Sequence, residues 1–298
     1  PGRYEETIRI VNRHDIVVSG CGPRTRLVGV APTGTNPAAP VISIVGGYNL
    51  GLEDFAVEAF DTGLGIELLG RNPFSQAEQI ATGEVINASL ENLVVAAGQR
   101  SALRARFVRE LSVCGCEFSN HDLACLEPTV VLLADDVDFA CNLIEVDAHS
   151  GAADSTSGPP ASFAAGTNAE GGLQIEGTSE RVLVRDNVIR GGSSHGIALG
   201  SVREVADTAD YGPVDHGQKW HPVNPCDPKD AFDISLGNDP RQPRVGIFST
   251  GPLEHIRIVG NRIYDHGGCG IGVIHFWNLN GADDFIEVID LAIERNVI

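Results

Sequence analysis

The sequence predicts an all-β protein: a single-stranded right-handed parallel β-helix, a solenoid of short stacked strands with surface-loop insertions. Three observations predict it. A short frame of alternating apolar residues, with asparagine at a fixed place, recurs along the chain. Two copies of that frame are followed, at equal distance, by the same glycine-bearing strand start. Glycine is abundant at 35 residues, while aromatic residues make up 6% and methionine is absent. Many short strands need many turns, and glycine supplies the backbone angles turns demand.

The frame is clearest in Val182-Leu183-Val184-Arg185-Asp186-Asn187-Val188-Ile189. It returns at Ile256 to Ile263 around Asn261, and at Leu291 to Ile298 around Asn296. Val137, Phe139, Asn142 and Ile144 fit it as well. Weaker copies place Cys21, Phe55, Leu93 and Cys116 where the asparagine stands. The predicted column is therefore Cys21, Phe55, Leu93, Cys116, Asn142, Asn187, Asn261 and Asn296, with gaps of 34, 38, 23, 26, 45, 74 and 35 residues. The shorter gaps fit one bare coil and the longer ones a coil with an insertion; the 74-residue gap also has room for an extra coil. Nine residues after Asn187 stands Gly196-Ile197-Ala198-Leu199, and nine after Asn261 stands Gly270-Ile271-Gly272-Val273.

Period-two runs of this length suit strands, not amphipathic helices. One coil cannot close a core, but a stack can. Strands stacked at ~4.8 Å would make eight coils a rod of roughly 38 Å. Asparagines sharing a turn are expected to bond to one another along the axis.

The 298 residues read as one β-helix domain, and as a fragment of a longer chain, because the sequence opens on Pro1 and ends on Ile298. Two segments break the rhythm: 147–170, rich in Gly, Ala, Ser and Pro, and 202–244. Long loops on rigid scaffolds tend to carry function. The second holds Lys219, Trp220 and His221, which offer a ring for stacking on a sugar and charged groups for its hydroxyls or carboxylates. A loop packing its own tryptophan is the plainer alternative.

Coil alignment sets His195 near Arg262, Asp265 and His266. An Asp-His cluster beside an arginine suits acid/base work on a glycosidic bond or a uronate C5 proton. Glycoside hydrolysis needs two carboxylates, which Asp265 with Asp283 or Asp284 would supply. Ordinary solvated turn residues are the alternative. No cofactor is required by any motif. Calcium is the one ion considered, at Asp135, Asp136 and Asp138, where acids alternating along an exposed strand end are the simpler account.

Seven cysteines stand at 21, 114, 116, 125, 141, 226 and 269, an odd number, so at least one is unpaired within the chain. Cys114 and Cys116 are too close together for a usual zinc clip. Cys21, Cys116 and Cys125 read as small core fillers. The formal net charge of −19 repels nucleic acid and anionic membrane surfaces. No apolar run is long enough to span a bilayer.

The opening Pro1-Gly2-Arg3-Tyr4-Glu5-Glu6-Thr7-Ile8 resembles the first coil of the pectate-lyase-like superfamily of right-handed β-helix proteins, where a proline-glycine-x-tyrosine turn leads into the first strand. Ile16-Val17-Val18-Ser19-Gly20-Cys21-Gly22, with Thr25 and Leu27, is similar to its continuation. The resemblance covers nearly the whole chain and implies architecture more than chemistry. Members include polysaccharide lyases, glycoside hydrolases, uronate epimerases, pectin esterases, phage tailspikes and surface adhesins. No catalytic signature of one subfamily is present, and fold analogy alone is a weak warrant for function. The resemblance implies an extracellular protein that binds or processes carbohydrate, secreted, periplasmic or at the cell surface, with a polysaccharide or glycan as partner and with no nucleic acid or membrane insertion. The alternative is a non-catalytic structural or adhesin-like module.

Overall fold

The computed structural model describes residues 1–30, 39–59, 63–72, 83–122, 125–146, 169–206, 245–277 and 283–298. Every element among the described residues is a strand, and nearly all pair in parallel. Alternation of apolar and polar residues over short runs gives each strand one buried and one outward edge.

The first sheet stacks eight strands in parallel: β1 (Gly2–Glu5), β3 (Thr25–Val28), β5 (Ala56–Glu58), β8 (Val94–Ala97), β10 (Glu117–Asn120), β12 (Leu143–Val146), β15 (Val188–Arg190) and β20 (Arg262–Tyr264). The second sheet holds the longer strands β2 (Ile8–Ser19), β4 (Ile42–Glu53), β9 (Leu103–Cys114) and β11 (Val130–Ala140). At other levels the same path is cut in two, as β6 (Ile66–Leu69) then β7 (Val85–Glu91), and β13 (Leu173–Ile175) then β14 (Glu180–Arg185). β16 (Ile197–Leu199), β19 (Leu253–Val259), β21 (Ile271–Val273) and β24 (Val288–Glu294) complete it. Two antiparallel hairpins project from this frame, β17 (Val202–Ala206) with β18 (Val245–Ser249), and β22 (His275–Trp277) with β23 (Asp283–Phe285). No helix of the described residues is long and apolar enough to cross a membrane.

The register is unbroken along the column the sequence singles out. Ser19 pairs Glu53, Glu53 pairs Glu91, Glu91 pairs Cys114, Cys114 pairs Ala140, Ala140 pairs Arg185, Arg185 pairs Val259 and Val259 pairs Glu294. Two residues beyond each lies one member of the column. β14 pairs β19 directly, so the 74-residue gap holds no extra level. The sequence could not separate that case from a long insertion, because both lengthen the gap alike.

Asn142, Asn187 and Asn261 are buried and act identically. Asn187 Oδ1 accepts from the Asn142 backbone N–H at 2.8 Å and from its Nδ2 at 3.1 Å. Asn261 Oδ1 accepts the same pair from Asn187 at 3.0 and 2.9 Å, and Asn296 Oδ1 the same pair from Asn261 at 2.9 and 3.0 Å. Each Nδ2 also donates to a carbonyl one level back: Val113, Phe139, Val184 and Ile258 in turn. The residue before each column member, from Asp54 through Asn92, Gly115, Cys141, Asp186 and Gly260 to Arg295, has a positive φ between 53 and 71°. That left-handed residue turns the chain from the second sheet into the first.

A second left-handed column was not foreseen. Asp15, Asn49, Asn87, Glu110, Asp136, Arg181, His255 and Asp290 all have φ between 54 and 58°. They share one register position in the second sheet. Asn, Asp and His are enriched in this conformation, but Glu and Arg carry no signal for it.

Three expectations need correction. Cys116 and Cys125 are buried, but Cys21 is exposed, because it lies on the outermost level with Phe55 covering one side only. The 202–244 insertion begins in strand β17, not in loop, and its residues 207–244 lie outside the described residues. So do 147–168 of the other insertion, whereas Ala169 is buried and Glu170 half-buried.

Candidate functional site

The residues expected to carry chemistry divide sharply. His195 and His266 do come together, as the equal spacing after Asn187 and Asn261 implies. β15 registers on β20, and β16 on β21, so the turns that follow β15 and β20 lie one above the other. The Cys269 backbone N–H donates to His195 Nδ1 at 2.9 Å, which leaves the ring proton on Nε2. His195 is 3% exposed, and its Nε2 finds no partner. Its ring lies over Gly272, where an added Cβ would stand 2.7 Å from Cε1, so only glycine fits beneath it. Neither ring nitrogen of His266 makes a well-formed hydrogen bond, although the Ile189 backbone is near enough to favour its charged form. Burial outweighs that help, and His266 is pushed down to about 4. His195 is lowered by burial too.

Both imidazoles are therefore held toward the neutral form; His195 is closed from solvent, while His266 is half-buried with its two ring nitrogens covered. Asp265 is exposed at φ 60°, and Arg262 is exposed on the outward edge of β20. Among the described residues no side-chain hydrogen bond or ion pair joins Arg262 to the other three. The four residues expected to share a site are thus one buried ring, one half-buried ring and two solvent-facing side chains. Lys219, Trp220 and His221 lie outside the described residues, as does the side chain of Asp283.

The three aspartates considered for calcium do not converge. Asp136 pairs with Arg181, Asp138 receives two bonds from Arg185 at 3.0 and 2.9 Å, and Asp135 accepts the Glu180 backbone N–H at 3.1 Å. Among the described residues the group with ligand atoms within 4.8 Å of one another is Glu180, Glu254 and His255. His255 is further bonded to Asp290 at 2.8 Å. Glu180 and Glu254 are register partners 74 positions apart, a separation no ligand-spacing motif captures.

A different set of charged residues gathers where the long strands bend. β9 and β11 change direction at Phe107, which has φ 56°, and at a register shift between Leu133 and Ala134. On one side of the bend, Arg106 makes a two-pronged ion pair with Glu176, through Nε at 2.7 Å and through Nη2. Glu127 accepts from Arg104, Arg100 and Ser101. Burial works against these charges, but the pairing wins for Arg106, which is raised, and for Glu127, which is lowered. For Arg104 burial wins. This side is a part-buried network of ion pairs, in which Arg104 Nε alone among these guanidinium and carboxylate atoms is buried without a partner.

The other side is open. A cleft of about 410 Å³ is lined by Arg71, Glu84, Phe107, Val108, Arg109, Leu133, Ala134, Asp135 and Thr178. Its apolar floor comes from the bend itself. Arg109 and Glu84 pair at 3.2 Å across its wall, both about half exposed. Burial raises the Asp135 carboxyl above its ordinary value, against the pull of Arg181 and Arg109 and with the help of Asp136 and Glu84. A carboxyl that holds its proton longer, beside a second carboxylate and two guanidiniums, can donate to a hydroxyl or ring oxygen while the arginines accept nothing and only donate. Perturbed carboxyls in clefts mark functional candidates. Sequence reasoning missed this set because its polar members come from five separate strands and turns between positions 71 and 178.

No protein-family model matches the chain, and no curated protein matches it either.

Proposed function

We propose that this chain is a right-handed parallel β-helix of the pectate-lyase-like kind that engages a carbohydrate polymer outside the cell, at the bend of the long strands. The solenoid reading is supported by the unbroken register, by the asparagine column and by the two left-handed columns that turn the chain at fixed places. One observation carries the functional reading: the open cleft that places Asp135 and Glu84 beside Arg71 and Arg109 over an apolar floor. Sugars present alternate apolar ring faces and hydroxyls, and this lining offers both kinds of surface. Asp135 is the proposed proton donor, and Arg109 and Arg71 are the proposed donors to hydroxyl or carboxylate oxygens.

A panel of neutral and acidic polysaccharides, with and without calcium, tests this through retardation in affinity gels, reducing-sugar release and unsaturated-uronate absorbance. Binding or turnover of at least one polymer is expected, weakened tenfold or more in Asp135→Asn and Arg109→Ala. Loss of neither in those variants would remove the cleft from the account. A silent panel would favour the second reading, a non-catalytic structural or adhesin-like module. The buried His195 ring and the ion pairs that occupy Arg104 and Arg106 speak for that second reading.

A further inference from the structure

We propose that Cys114 and Cys141 form a redox couple that closes into a disulfide, stapling the end of β9 to the turn after β11. Ala140 is the register partner of Cys114, so Cys141 stands one residue past it, in the left-handed turn that ends β11. The Gly115 N–H donates to the Ala140 carbonyl at 3.3 Å and holds the two turns together. A one-residue diagonal between parallel strands sets the two Cα atoms about 6 Å apart. That lies within the ~4.4–6.8 Å that a disulfide spans. Both side chains are exposed, and both thiols are free.

The other described cysteines do not compete. Cys116 and Cys125 are buried, and burial pushes both thiols up to about 12, where almost no thiolate exists. Cys21 lies on the first level, and Cys269 in the turn after β20, each in register with levels that carry no second described cysteine. Burial and the neighbouring Cys141 both raise the Cys114 thiol.

The oxidant is a small-molecule disulfide such as oxidised glutathione. The Cys141 thiolate attacks one of its sulfurs and expels one small thiolate, leaving a mixed disulfide. The Cys114 thiol then gives up its proton, attacks the Cys141 sulfur and expels the second small thiolate. Two protein thiols are oxidised to one disulfide, and one small disulfide is reduced to two thiols. In an oxidising compartment the staple is closed, and in a reducing one it is open. It would add a covalent link between two levels otherwise joined at this turn by backbone hydrogen bonds and the Asn142 amide.

The test incubates the full chain with oxidised glutathione and counts thiols after denaturation, with peptide mapping of the product. The expected result is a loss of at least two thiols, a Cys114–Cys141 linked peptide, glutathione adducts only on other exposed cysteines such as Cys21 and Cys269, and a melting temperature higher by about 3–6 °C. Dithiothreitol should reverse all of these. Cys114→Ser and Cys141→Ser should each lack the linked peptide and instead retain a glutathione adduct on the remaining cysteine. An unchanged thiol count, stable adducts on both wild-type cysteines, or a linked peptide joining either to a different cysteine would overturn the proposal. Should a serine variant fail to fold, the wild-type map alone decides between these outcomes.

Discussion

One inward column is filled in two ways. From Phe55 to Cys116 it holds hydrocarbon and a thiol, with Phe55 and Leu93 almost fully buried. From Asn142 to Asn296 it holds amides bonded level to level. The backbone path and the preceding left-handed residue are the same in both halves. The carbonyls of Phe55, Leu93, Cys116, Asn142, Asn187 and Asn261 all accept from the next level. What differs is the N–H of the column residue. In the amide half the next asparagine accepts it; phenylalanine and leucine have no acceptor to offer. Cys116 sits at the junction. Its N–H is accepted by Asn142 Oδ1 at 2.9 Å, and its thiol donates to the Leu90 carbonyl at 3.5 Å, the same bond an amide makes one level on. The same turn can therefore be stabilised by filled volume or by satisfied polar groups, and each half should fail in its own manner.

The largest effect is expected in the apolar half. Phe55→Ala should cost about 3–5 kcal/mol, because it removes a 1% exposed ring from the core. Equilibrium denaturation reads this directly. A cost below 1 kcal/mol would mean that the column collapses without strain. Next comes a pH effect at the two imidazoles. His266 is lowered from 6.5 to about 4 in the fold, so its neutral form is the one the fold favours. That contribution is complete above the unfolded value near 6.5 and is lost as pH falls towards 4. The loss should reach up to about 3 kcal/mol. His266→Phe should flatten the stability profile between pH 6.5 and 4.5, above the range in which Glu127, Asp136 and Asp290, all lowered in the fold, begin to protonate. An unchanged slope would show that the ring nitrogens are not closed from solvent.

Asn187→Ala should cost about 1–3 kcal/mol, since the Asn142 backbone and side-chain donors lose their acceptor. Leu93→Asn sharpens the contrast: it should be less damaging than Leu93→Ala by about 1 kcal/mol, because a new amide could accept the Phe55 N–H. Equal costs would show that the amide needs neighbours of its own kind. The smallest effect is expected at Val17, 62% exposed, where serine should change stability by less than about 0.5 kcal/mol. Ser193→Ala should cost more than the Val17 change, because the Ser193 hydroxyl donates to the Ala169 carbonyl at 3.0 Å.

The column itself was legible in the sequence from Cys21 to Asn296, because a shared position keeps one steric role even where its chemistry changes. The meeting of His195 with His266 was legible from equal spacing. Their burial was not, since it depends on Gly272 admitting a ring and on the turn closing over it. The second left-handed column was not legible because Glu110 and Arg181 interrupt it, residues that adopt the conformation under the constraint of their register partners and against their own preference. The cleft was illegible for a related reason. Arg109 and Asp135 become neighbours only once β9 and β11 are in register across their bend.

A double-mutant cycle on Asn142 and Asn187, 45 positions apart, tests the register most directly. Alanine at both should show a coupling of about 1 kcal/mol or more, because each amide completes the other's hydrogen bonds. Costs that add to within about 0.3 kcal/mol would mean the two residues do not touch, and the stacked column would be wrong.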